Sequence, residues 1–535
     1  MPQERTGVVT QTPTFRVDTD PWIPVVYSDG RFTTVGLRTL FTDAHLIHSI
    51  AGPGWSPLAL SALYRILAAI TYRVTGLLPE TGLTTRNADQ WEQQWRDAAA
   101  AGHFAPHAID DYFDRYAHRW GLTDLDHPWL QDPRLGRADP DAGTPTDVKD
   151  LNQIFSHDPS DNGPVFRGDI SATNPREATP EETLPELLAT LYFHSGSRTS
   201  TRVADGNTGN SAGGSPLRGT LSLHPTGMNL HATLLAHLVY PRHPEIPEPA
   251  APATLDLAPW ETSEPTNPGQ PFPPLAGIIT TLTNRARRDY LLTSDPATGL
   301  ITGVRRAPRY TVRVKPEPDA DIRDPYIAYR PSTNTANDSA WVPLQGDVNR
   351  HPWRDVDSLL SAAQQDIDTN FISPLAVRDG QKRWGSVGKI VGAVIGHDAD
   401  RSKDLEKGAY ASELPAGSIP DNWGHLPGLL TAARTYKTTH AALRKALNGI
   451  SSNQTGAGTV RSGENQYWHA AAHEFTRNAA AYLTGEKSAA RDAARIAYTC
   501  FDDTVHKKAR DARNQFLVAN ERRKLTQTLH VRTTP

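Results

Sequence analysis

Cysteine is almost absent from this chain, which contains only Cys500 among its 535 residues. A single thiol can form neither an internal disulfide nor a zinc site built from cysteine ligands. Scarce cysteine is typical of proteins from a reducing compartment, so we expect a cytoplasmic location. Because aromatic and alanine residues flank Cys500, we expect a buried thiol rather than a catalytic nucleophile.

Long apolar runs are missing as well. The longest run, near Leu58 to Ile70, is too short to span a bilayer and contains Arg65. The residues from Met1 to Pro13 lack the apolar core of a signal peptide. The sequence therefore predicts a protein that has no membrane partner.

The chain also lacks a large excess of charge of either sign. Its 55 lysines and arginines nearly balance its 59 aspartates and glutamates, and the formal net charge is -4. A protein without an overall positive field can contact nucleic acid only through local basic patches.

Recognisable catalytic motifs are missing too. His469 and His473 are four residues apart on a predicted helix, but Glu474 follows the second histidine, whereas a zincin has its glutamate directly after the first. The sequence contains no Gly-x-Ser-x-Gly elbow, no P-loop and no dinucleotide-binding fingerprint. We therefore expect no catalytic residues, no metal and no cofactor.

The length of the chain exceeds what one hydrophobic core usually supports. Short strands and helices alternate in its first part, where we also expect a helix from Ile278 to Leu292, and long helical segments dominate the rest. The pattern predicts an α+β protein, with a large mixed domain over residues 1–375 and a C-terminal four-helix bundle over residues 376–535. The helical segments predicted near and within the bundle are Ser358 to Asn370 with a continuation at Val387 to Ile395, Leu426 to Leu447, Gln466 to Thr484, and Ser488 to Leu525.

Two stretches between Asn162 and Gly219 have an unusual loop composition. The first, Asn162 to Asp169, places an aromatic residue next to an arginine among glycine and proline residues. The second, Ala204 to Gly219, contains five glycines, so its backbone could approach a ligand closely. Two interpretations are open for the second stretch, a flexible surface loop or a ligand-binding loop.

A third stretch, Arg309 to Lys315, alternates basic or polar residues with apolar ones. This alternation predicts an amphipathic strand with a cationic face. The basic residues of that face and of the positions just before it are Arg305, Arg306, Arg309, Arg313 and Lys315. An edge strand protected by charge against aggregation and a phosphate-binding surface would both produce this pattern.

Several short motifs follow one another in a specific order. They are Asp20-Pro21-Trp22-Ile23-Pro24-Val25, an Asp29-Gly30 turn, a Leu37-Arg38 helix start, and His127-Pro128-Trp129-Leu130-Gln131. Together with the two loops and the helical C-terminal region, they resemble the large subunit of the type I-E CRISPR surveillance complex Cascade, the CasA family. The resemblance covers nearly the whole chain.

The resemblance implies a non-catalytic subunit that recognises the short PAM beside a target in double-stranded DNA, helps to open the duplex and recruits a helicase-nuclease. The other implied partners are the remaining Cascade subunits and the guide RNA. Base pairing then supplies sequence identity, and the protein reads only the PAM and the backbone. A nuclease or hydrolase with an unrecognised active site is the alternative, and a purely structural scaffold is a third possibility.

The resemblance also implies roles for individual positions. At the core of the complex and the PAM-side duplex it implies a loop with Phe166, Arg167, Gly168 and Asp169. For PAM readout from the minor groove it implies the glycine-rich loop with Gly206, Asn207, Gly209, Asn210, Gly213, Gly214 and Arg218. For a wedge between the DNA strands it implies Asp400, Arg401, Ser402 and Lys403, where Arg401 replaces the glutamine that the family often has. The PAM-contacting lysine of the family corresponds to Lys315 or Arg323.

Overall fold

A computed structural model of the chain shows two compact units. The residues that it describes are 14–50, 54–82, 87–137, 146–155, 175–248, 255–262, 266–315, 321–332, 339–360, 371–400, 405–420, 423–451, 457–506 and 512–533. The first unit consists of Met1–Val348, Lys382–Ile390 and Ile395–Ala411. The second unit consists of Asn349–Gln381, Val391–Val394 and Ser412–Pro535.

Thirteen α-helices lie in the part of the chain that the structure describes. They are α1 (Leu37–Thr42), α2 (Pro57–Val74), α3 (Ala88–Ala101), α4 (Pro106–Arg115), α5 (Pro180–Phe193), α6 (Leu230–Ala236), α7 (Ile278–Thr283), α8 (Val356–Leu360), α9 (Leu375–Gly380), α10 (Leu426–Ser451), α11 (Ala457–Thr484), α12 (Ala489–Val505) and α13 (Ala512–Thr533). Of these described helices, none is long and apolar enough to cross a membrane.

The strands are short and form small sheets. They are β1 (Ile23–Tyr27), β2 (Phe32–Val35), β3 (Ile47–Ile50), β4 (Ser197–Ala204), β5 (Asn207–Ala212), β6 (Leu221–Thr226), β7 (Arg288–Ser294), β8 (Ile301–Pro308), β9 (Tyr329–Pro331), β10 (Trp341–Pro343), β11 (Val391–Asp400) and β12 (Leu405–Glu413). The pairs β4 with β5 and β7 with β8 are antiparallel hairpins. An N-terminal sheet has the strand order β2-β1-β3.

Helix α2 forms the centre of the first unit. Ser56 caps its N-terminus by accepting a hydrogen bond from the Leu58 backbone N–H, and Pro57 occupies the first helical position. Apolar residues surround the helix on nearly all sides, which is typical of a buried helix. Arg65 is buried in its middle and forms two hydrogen bonds to Asp324, of 2.8 and 2.9 Å.

The second unit contains a bundle of α10, α11, α12 and α13. Its core is aromatic, with Trp353 stacked on Phe475 at a ring-centroid distance of 4.5 Å. Two tyrosine hydroxyls in this core, Tyr436 and Tyr482, lie 2.9 Å apart. At Gly428 a Cβ atom would lie 2.5 Å from the carbonyl oxygen of Tyr482, so the absence of a side chain allows the two backbones to approach closely.

The predicted α+β class and the helical C-terminal region are confirmed. The predicted helix from Ile278 to Leu292 is wrong in its second half, because α7 ends at Thr283 and β7 begins at Arg288. In α7, threonine hydroxyls donate to carbonyl oxygens one turn earlier, a local bond that weakens helix interiors. The predicted helical continuation at Val387 to Ile395 is also wrong, because β-branched residues there begin strand β11.

Candidate nucleic-acid interface

The first part of the glycine-rich stretch, up to Ala212, forms the turn and second strand of a hairpin, and residues 213–219 continue outside any strand. Asp205 and Gly206 have φ values of 49° and 74°, so they make a two-residue turn with both residues in the left-handed region. On either side of the turn, Ala204 pairs with Asn207 and Val203 pairs with Thr208. Of the two interpretations left open, an irregular flexible loop does not fit residues 204–212, and the Asp-Gly pair was the sequence signal for the turn.

The β4–β5 hairpin has one buried and one exposed face. Arg202, Ala204 and Ala212 are buried. The exposed side chains near the turn are Thr201, Val203, Asn207, Thr208 and Asn210. Asn207 pairs with the buried Ala204 and lies at the rim of the inner face, so the outer face near the turn consists of Thr201, Val203, Thr208 and Asn210, which carry no formal charge.

Side chains from a neighbouring segment hold the tip of the hairpin. The Asp205 carboxylate accepts a hydrogen bond of 2.8 Å from Asn267 Nδ2. A Cβ atom on Gly269 would lie 2.5 Å from the same carboxylate, so only glycine fits without a shift of this contact. Asn207 Nδ2 donates to the Gly269 carbonyl oxygen over 3.4 Å. The tip is thus clamped.

A buried ionic network anchors the inner face of the hairpin close to its turn, where Arg202 pairs with Gly209. Arg202 is 1% exposed, and it donates to Asp132 over 2.6 Å and to Asp289 over 2.7 Å. Arg134 also binds Asp132, over 2.8 and 2.9 Å. Burial alone would raise the pKa of Asp132, but Arg134 and Arg202 outweigh this effect and hold the pKa below its ordinary value. Sequence analysis missed this network, because its members are far apart along the chain.

The prediction of a cationic strand from Arg309 to Lys315 is wrong, because this segment is not a strand. The strand is β8, which ends at Pro308, and the 309–315 segment continues beyond it outside any strand. Thr311 fixes the segment, since its backbone N–H and its hydroxyl both donate to the Pro268 carbonyl oxygen. Tertiary contacts have therefore overridden the local alternation.

The five basic residues of this region separate into two groups. Arg305 donates to the Thr146 carbonyl oxygen, and Arg306 is half-buried with a pKa lowered by burial and by Arg288. Arg309 lies 3.6 Å from Asp289 and joins the buried network. Arg313 and Lys315 are exposed.

Arg313 brings the cationic segment to the hairpin. Its guanidinium donates to the carbonyl oxygen of Ser211 on β5, and Ser211 pairs with Arg198 on β4. Arg198 is exposed and was not among the predicted residues. Arg198 and Arg313 therefore both lie at the base of the hairpin, and Lys315 follows in the same segment.

The other predicted loop residues differ in their exposure and in their neighbours. Gly213 faces open space, whereas a Cβ atom on Gly214 would lie 3.2 Å from the backbone nitrogen of Gly196. Arg218 is only 3% exposed and lies in the interior. Arg323 is bound to Glu245 at 3.3 Å, so of the two candidates for the PAM-contacting lysine only Lys315 is exposed.

Two predicted sites cannot be placed. Phe166, Arg167, Gly168 and Asp169 lie outside the described residues. The wedge residues Arg401, Ser402 and Lys403 also lie outside them, and Asp400 is the last residue of β11.

The two histidines and the cysteine considered in the sequence analysis all lie among the described residues. His469 and His473 are both exposed, and within the described ranges no three His, Cys, Asp or Glu side chains are grouped as a metal site. Cys500 is buried, as predicted, and burial raises the pKa of its thiol to about 11. A thiol with this pKa stays protonated at neutral pH.

Solved structures with the same fold cover nearly the entire chain. A structure described as a CRISPR RNA-guided surveillance complex is 23% identical, with a TM-score of 0.81 and coverage of 96% of this chain and 100% of the other. For Thermus thermophilus CasA (Cse1) the identity is 20%, the TM-score 0.68 and the coverage 97% and 100%. For Cse1 from Acidimicrobium ferrooxidans they are 19%, 0.71, and 98% and 100%.

No curated protein matches the chain at a significant level. The family model of the CRISPR-associated protein Cse1, in contrast, matches residues 18–511. Because this match covers most of its length, the chain belongs to the Cse1 family, which confirms the CasA resemblance that its motifs indicate.

Proposed function

We propose that this chain is the DNA-recognition subunit of a CRISPR RNA-guided surveillance complex of type I-E. It reads the PAM in double-stranded DNA, helps to open the duplex and recruits the helicase-nuclease. It works in the cytoplasm with the other Cascade subunits and the guide RNA, and it catalyses no reaction itself. The observation that carries the proposal is the clamped β4–β5 hairpin, with small exposed side chains and three exposed basic residues near its base.

The exposed face of the hairpin suits the minor groove of DNA. That groove is only about 6 Å wide and offers few distinguishing groups, mainly acceptors on A·T pairs and one added donor on G·C pairs. Thr208 and Asn210 are small and can both donate and accept hydrogen bonds. Readout of this kind is degenerate, which suits a subunit that tolerates several PAM sequences.

The basic residues near the base of the hairpin suit the DNA backbone. Arg198, Arg313 and Lys315 are exposed, so their charges can reach phosphate oxygens without unfolding of the protein. Phosphate contacts position the protein on the duplex but carry no sequence information. We therefore expect the hairpin face to discriminate between PAM sequences, and the three basic residues to contribute affinity for any DNA duplex.

Binding of the assembled complex to duplexes with different PAMs separates these two roles. In a Thr208→Ala, Asn210→Ala variant we expect the affinity difference between a good and a poor PAM to fall about thirtyfold or more, because each of the two lost base contacts is worth about 1–3 kcal/mol. In an Arg198→Gln, Arg313→Gln, Lys315→Gln variant we expect equal weakening for every PAM. The slope of log affinity against log salt should flatten by about 2 to 3.

The two variants serve as controls for each other. Full PAM discrimination by the hairpin variant would contradict the proposal, and so would an unchanged salt slope in the charge variant. Arg309→Gln is a further control, because its side chain belongs to the buried network. We expect it to lower stability and to leave the salt slope unchanged.

Duplex opening is assigned to the stretch Asp400–Lys403, and attachment to the complex to the loop around Phe166. An Arg401→Ala variant should bind PAM duplexes normally but open them more slowly, as measured by fluorescence of 2-aminopurine placed beside the PAM. A Phe166→Ala variant should fold normally and dissociate faster from the complex.

The nuclease alternative requires the isolated chain to cut plasmid DNA with a divalent metal, and we expect no cleavage.

A further inference from the structure

Asp205 carries the only carboxylate of the β4–β5 hairpin, and it lies at the tip, in the first position of the turn. Its side chain is exposed, whereas the other side chains exposed near the turn carry no formal charge. Aspartate and asparagine before glycine both favour a two-residue turn of this kind. The turn therefore explains the Asp-Gly pair but not the negative charge.

Asn267 holds this carboxylate in a defined orientation. The Oδ1 atom of Asn267 accepts a hydrogen bond of 2.7 Å from the Gly269 backbone N–H, so its NH2 group is the part that faces the hairpin. That group donates to Asp205 Oδ2 over 2.8 Å. Gln270 Nε2 lies 3.4 Å from the same oxygen. The other oxygen, Oδ1, accepts no hydrogen bond from the residues that the structure describes.

The segment that carries Asn267 is itself fixed to the first unit. The Pro268 carbonyl oxygen accepts hydrogen bonds from the Thr311 backbone N–H and hydroxyl, over 2.8 and 3.0 Å. An aspartate on an unsupported turn would rotate away from the negative charges of DNA. Asp205 loses its bond to Asn267 if it rotates, so the carboxylate keeps its position at the tip.

The minor groove of DNA offers one group that separates G·C pairs from A·T pairs. A·T and T·A pairs present only acceptors there, whereas guanine adds the N2 amino donor. Thr208 and Asn210 can donate as well as accept, so they can bond to either kind of pair. An ionised carboxylate only accepts. It therefore gains a hydrogen bond beside guanine, and it is repelled by the acceptors of an A·T pair.

We propose that Asp205 selects a G·C pair at one PAM position by accepting a hydrogen bond from the guanine N2 amino group. This inference rests on the proposed readout of the PAM from the minor groove, and it adds a specificity-determining residue to that readout. The negative charge weakens binding to every duplex, because the phosphates repel it, and most where no amino donor compensates. Asn267 acts through Asp205 and is a positioning residue.

Base analogues test this assignment without any change to the protein. Inosine lacks the N2 amino group of guanine, 2,6-diaminopurine adds that group to adenine, and neither changes the major-groove edge. At one PAM position we expect the assembled complex to bind guanine and 2,6-diaminopurine at least about fivefold tighter than inosine and adenine. Removal of the amino group also weakens the base pair, so an effect of easier duplex opening would have the opposite sign. Equal affinity for guanine and inosine at every PAM position would overturn the proposal.

Asp205→Asn tests which residue reads the amino group. The substitution keeps the size of the side chain and a favoured turn sequence. Because Asn267 presents a donor, the introduced amide turns its oxygen toward Asn267 and its NH2 group outward. We expect the ratio of guanine affinity to inosine affinity to fall at least about fivefold and the order to reverse, with other PAM positions unaffected. An unchanged ratio would overturn the proposal.

Asp29→Asn is the matched control. Asp29 precedes Gly30 in the turn between β1 and β2 and is also exposed, so the variant loses the same charge from another hairpin. We expect it to keep the ratio of the unmodified protein, and an equal loss in both variants would overturn the proposal. Asn267→Ala should lower the ratio without reversing it, because the carboxylate stays but is no longer held.

The hairpin variant described above separates this inference from the proposed function. If Thr208→Ala, Asn210→Ala reduces PAM discrimination and Asp205→Asn does not, the role of Asp205 is refuted and the readout by the hairpin stands. If neither variant changes PAM discrimination, the readout by the hairpin is refuted as well.

Discussion

Asp132 in the first unit and Glu474 in the second are both buried carboxylates whose pKa values are lowered by arginines, but the arginines differ in exposure. The side chain of Asp132 is 6% exposed, and those of Arg202 and Arg134 are 1% and 9% exposed. The side chain of Glu474 is 8% exposed, whereas that of Arg477 is 59% exposed. Burial alone would raise the pKa of Glu474, but Arg477 and Asn478 outweigh it and lower the pKa to about 2.

This difference in exposure means that similar ion pairs can contribute differently to the free energy of unfolding. In the network of Asp132 both signs of charge have lost their water, so removal of one partner leaves a buried charge uncompensated. At Glu474 the arginine keeps most of its water, and its attraction is weakened by solvent and by salt. We therefore expect the hairpin of the first unit to depend on its ion pairs far more than the bundle does.

Asp132→Asn should have the largest effect. It removes the negative charge that faces Arg202 and Arg134, and we expect the free energy of unfolding of the first unit to fall by about 3–5 kcal/mol. Hydrogen exchange measured on peptides from β4, β7 and β8 would localise the loss. A change below about 1 kcal/mol would mean that Asp289 alone is sufficient to balance the charge of Arg202.

Acid should remove the contributions of both carboxylates. Each pKa is lowered in the folded state, so each contribution is fully present above the pKa of the unfolded chain, near 4, and is lost as the pH falls through the folded value. For Glu474 this loss occurs between about pH 4.5 and pH 2. Arg134 and Arg202 also hold the pKa of Asp132 below its ordinary value, so its contribution is lost in the same direction. Unfolding free energies of the wild type and each neutral variant, compared against pH, would check that the difference from the wild type disappears in acid and that the larger loss belongs to Asp132.

Glu474→Gln should have a smaller effect. The amide keeps the shape of the side chain and can still bond to Asn478, so we expect a loss of about 1 kcal/mol from the bundle. Denaturant unfolding, followed by hydrogen exchange in α11 and α12, would measure it. A loss as large as that of Asp132→Asn would contradict the expectation that the buried ion pairs contribute more to stability than the exposed one.

High salt should have the smallest effect and should act on the second unit. Exposed arginines are screened by added ions, whereas buried ones are screened much less. We expect high salt to reduce the effect of Glu474→Gln by a few tenths of a kcal/mol and to leave that of Asp132→Asn unchanged. Parallel denaturation series in low and high salt would test this, and an equal salt response of both variants would contradict it.

Local sequence patterns predicted much of the fold. Ser56 and Pro57 mark the start of α2, and the long apolar periodicity marks the C-terminal helices. The Pro-Trp-Leu-Gln motif also has a structural reason, since Gln131 accepts a hydrogen bond from the Leu292 backbone N–H of β7. The domain boundary near residue 375 stays a prediction.

The candidate site was less predictable. The alternation after Arg309 favoured one cationic face, but the nearby Asp289 draws Arg309 into the interior, and only Arg313 and Lys315 stay exposed. The Asp-Gly turn was visible in the sequence, whereas its clamp by Asn267 was not. Contacts between residues so far apart in sequence leave no local pattern, because either partner alone looks like an ordinary surface charge.

The spacing of the partners of Arg202 sets an order for the folding of the hairpin. Asp132 precedes Arg202 by 70 residues, and Asp289 follows it by 87. The two-residue turn needs only its own neighbours and can close early, whereas both ion pairs require long loops to close. During synthesis, the hairpin therefore emerges and turns before the carboxylate of Asp289 exists in the chain. Arg202 can meet Asp132 as soon as it emerges, but its second partner is made only with β7, so the network is complete, and the hairpin fully docked, only late in the folding of the first unit.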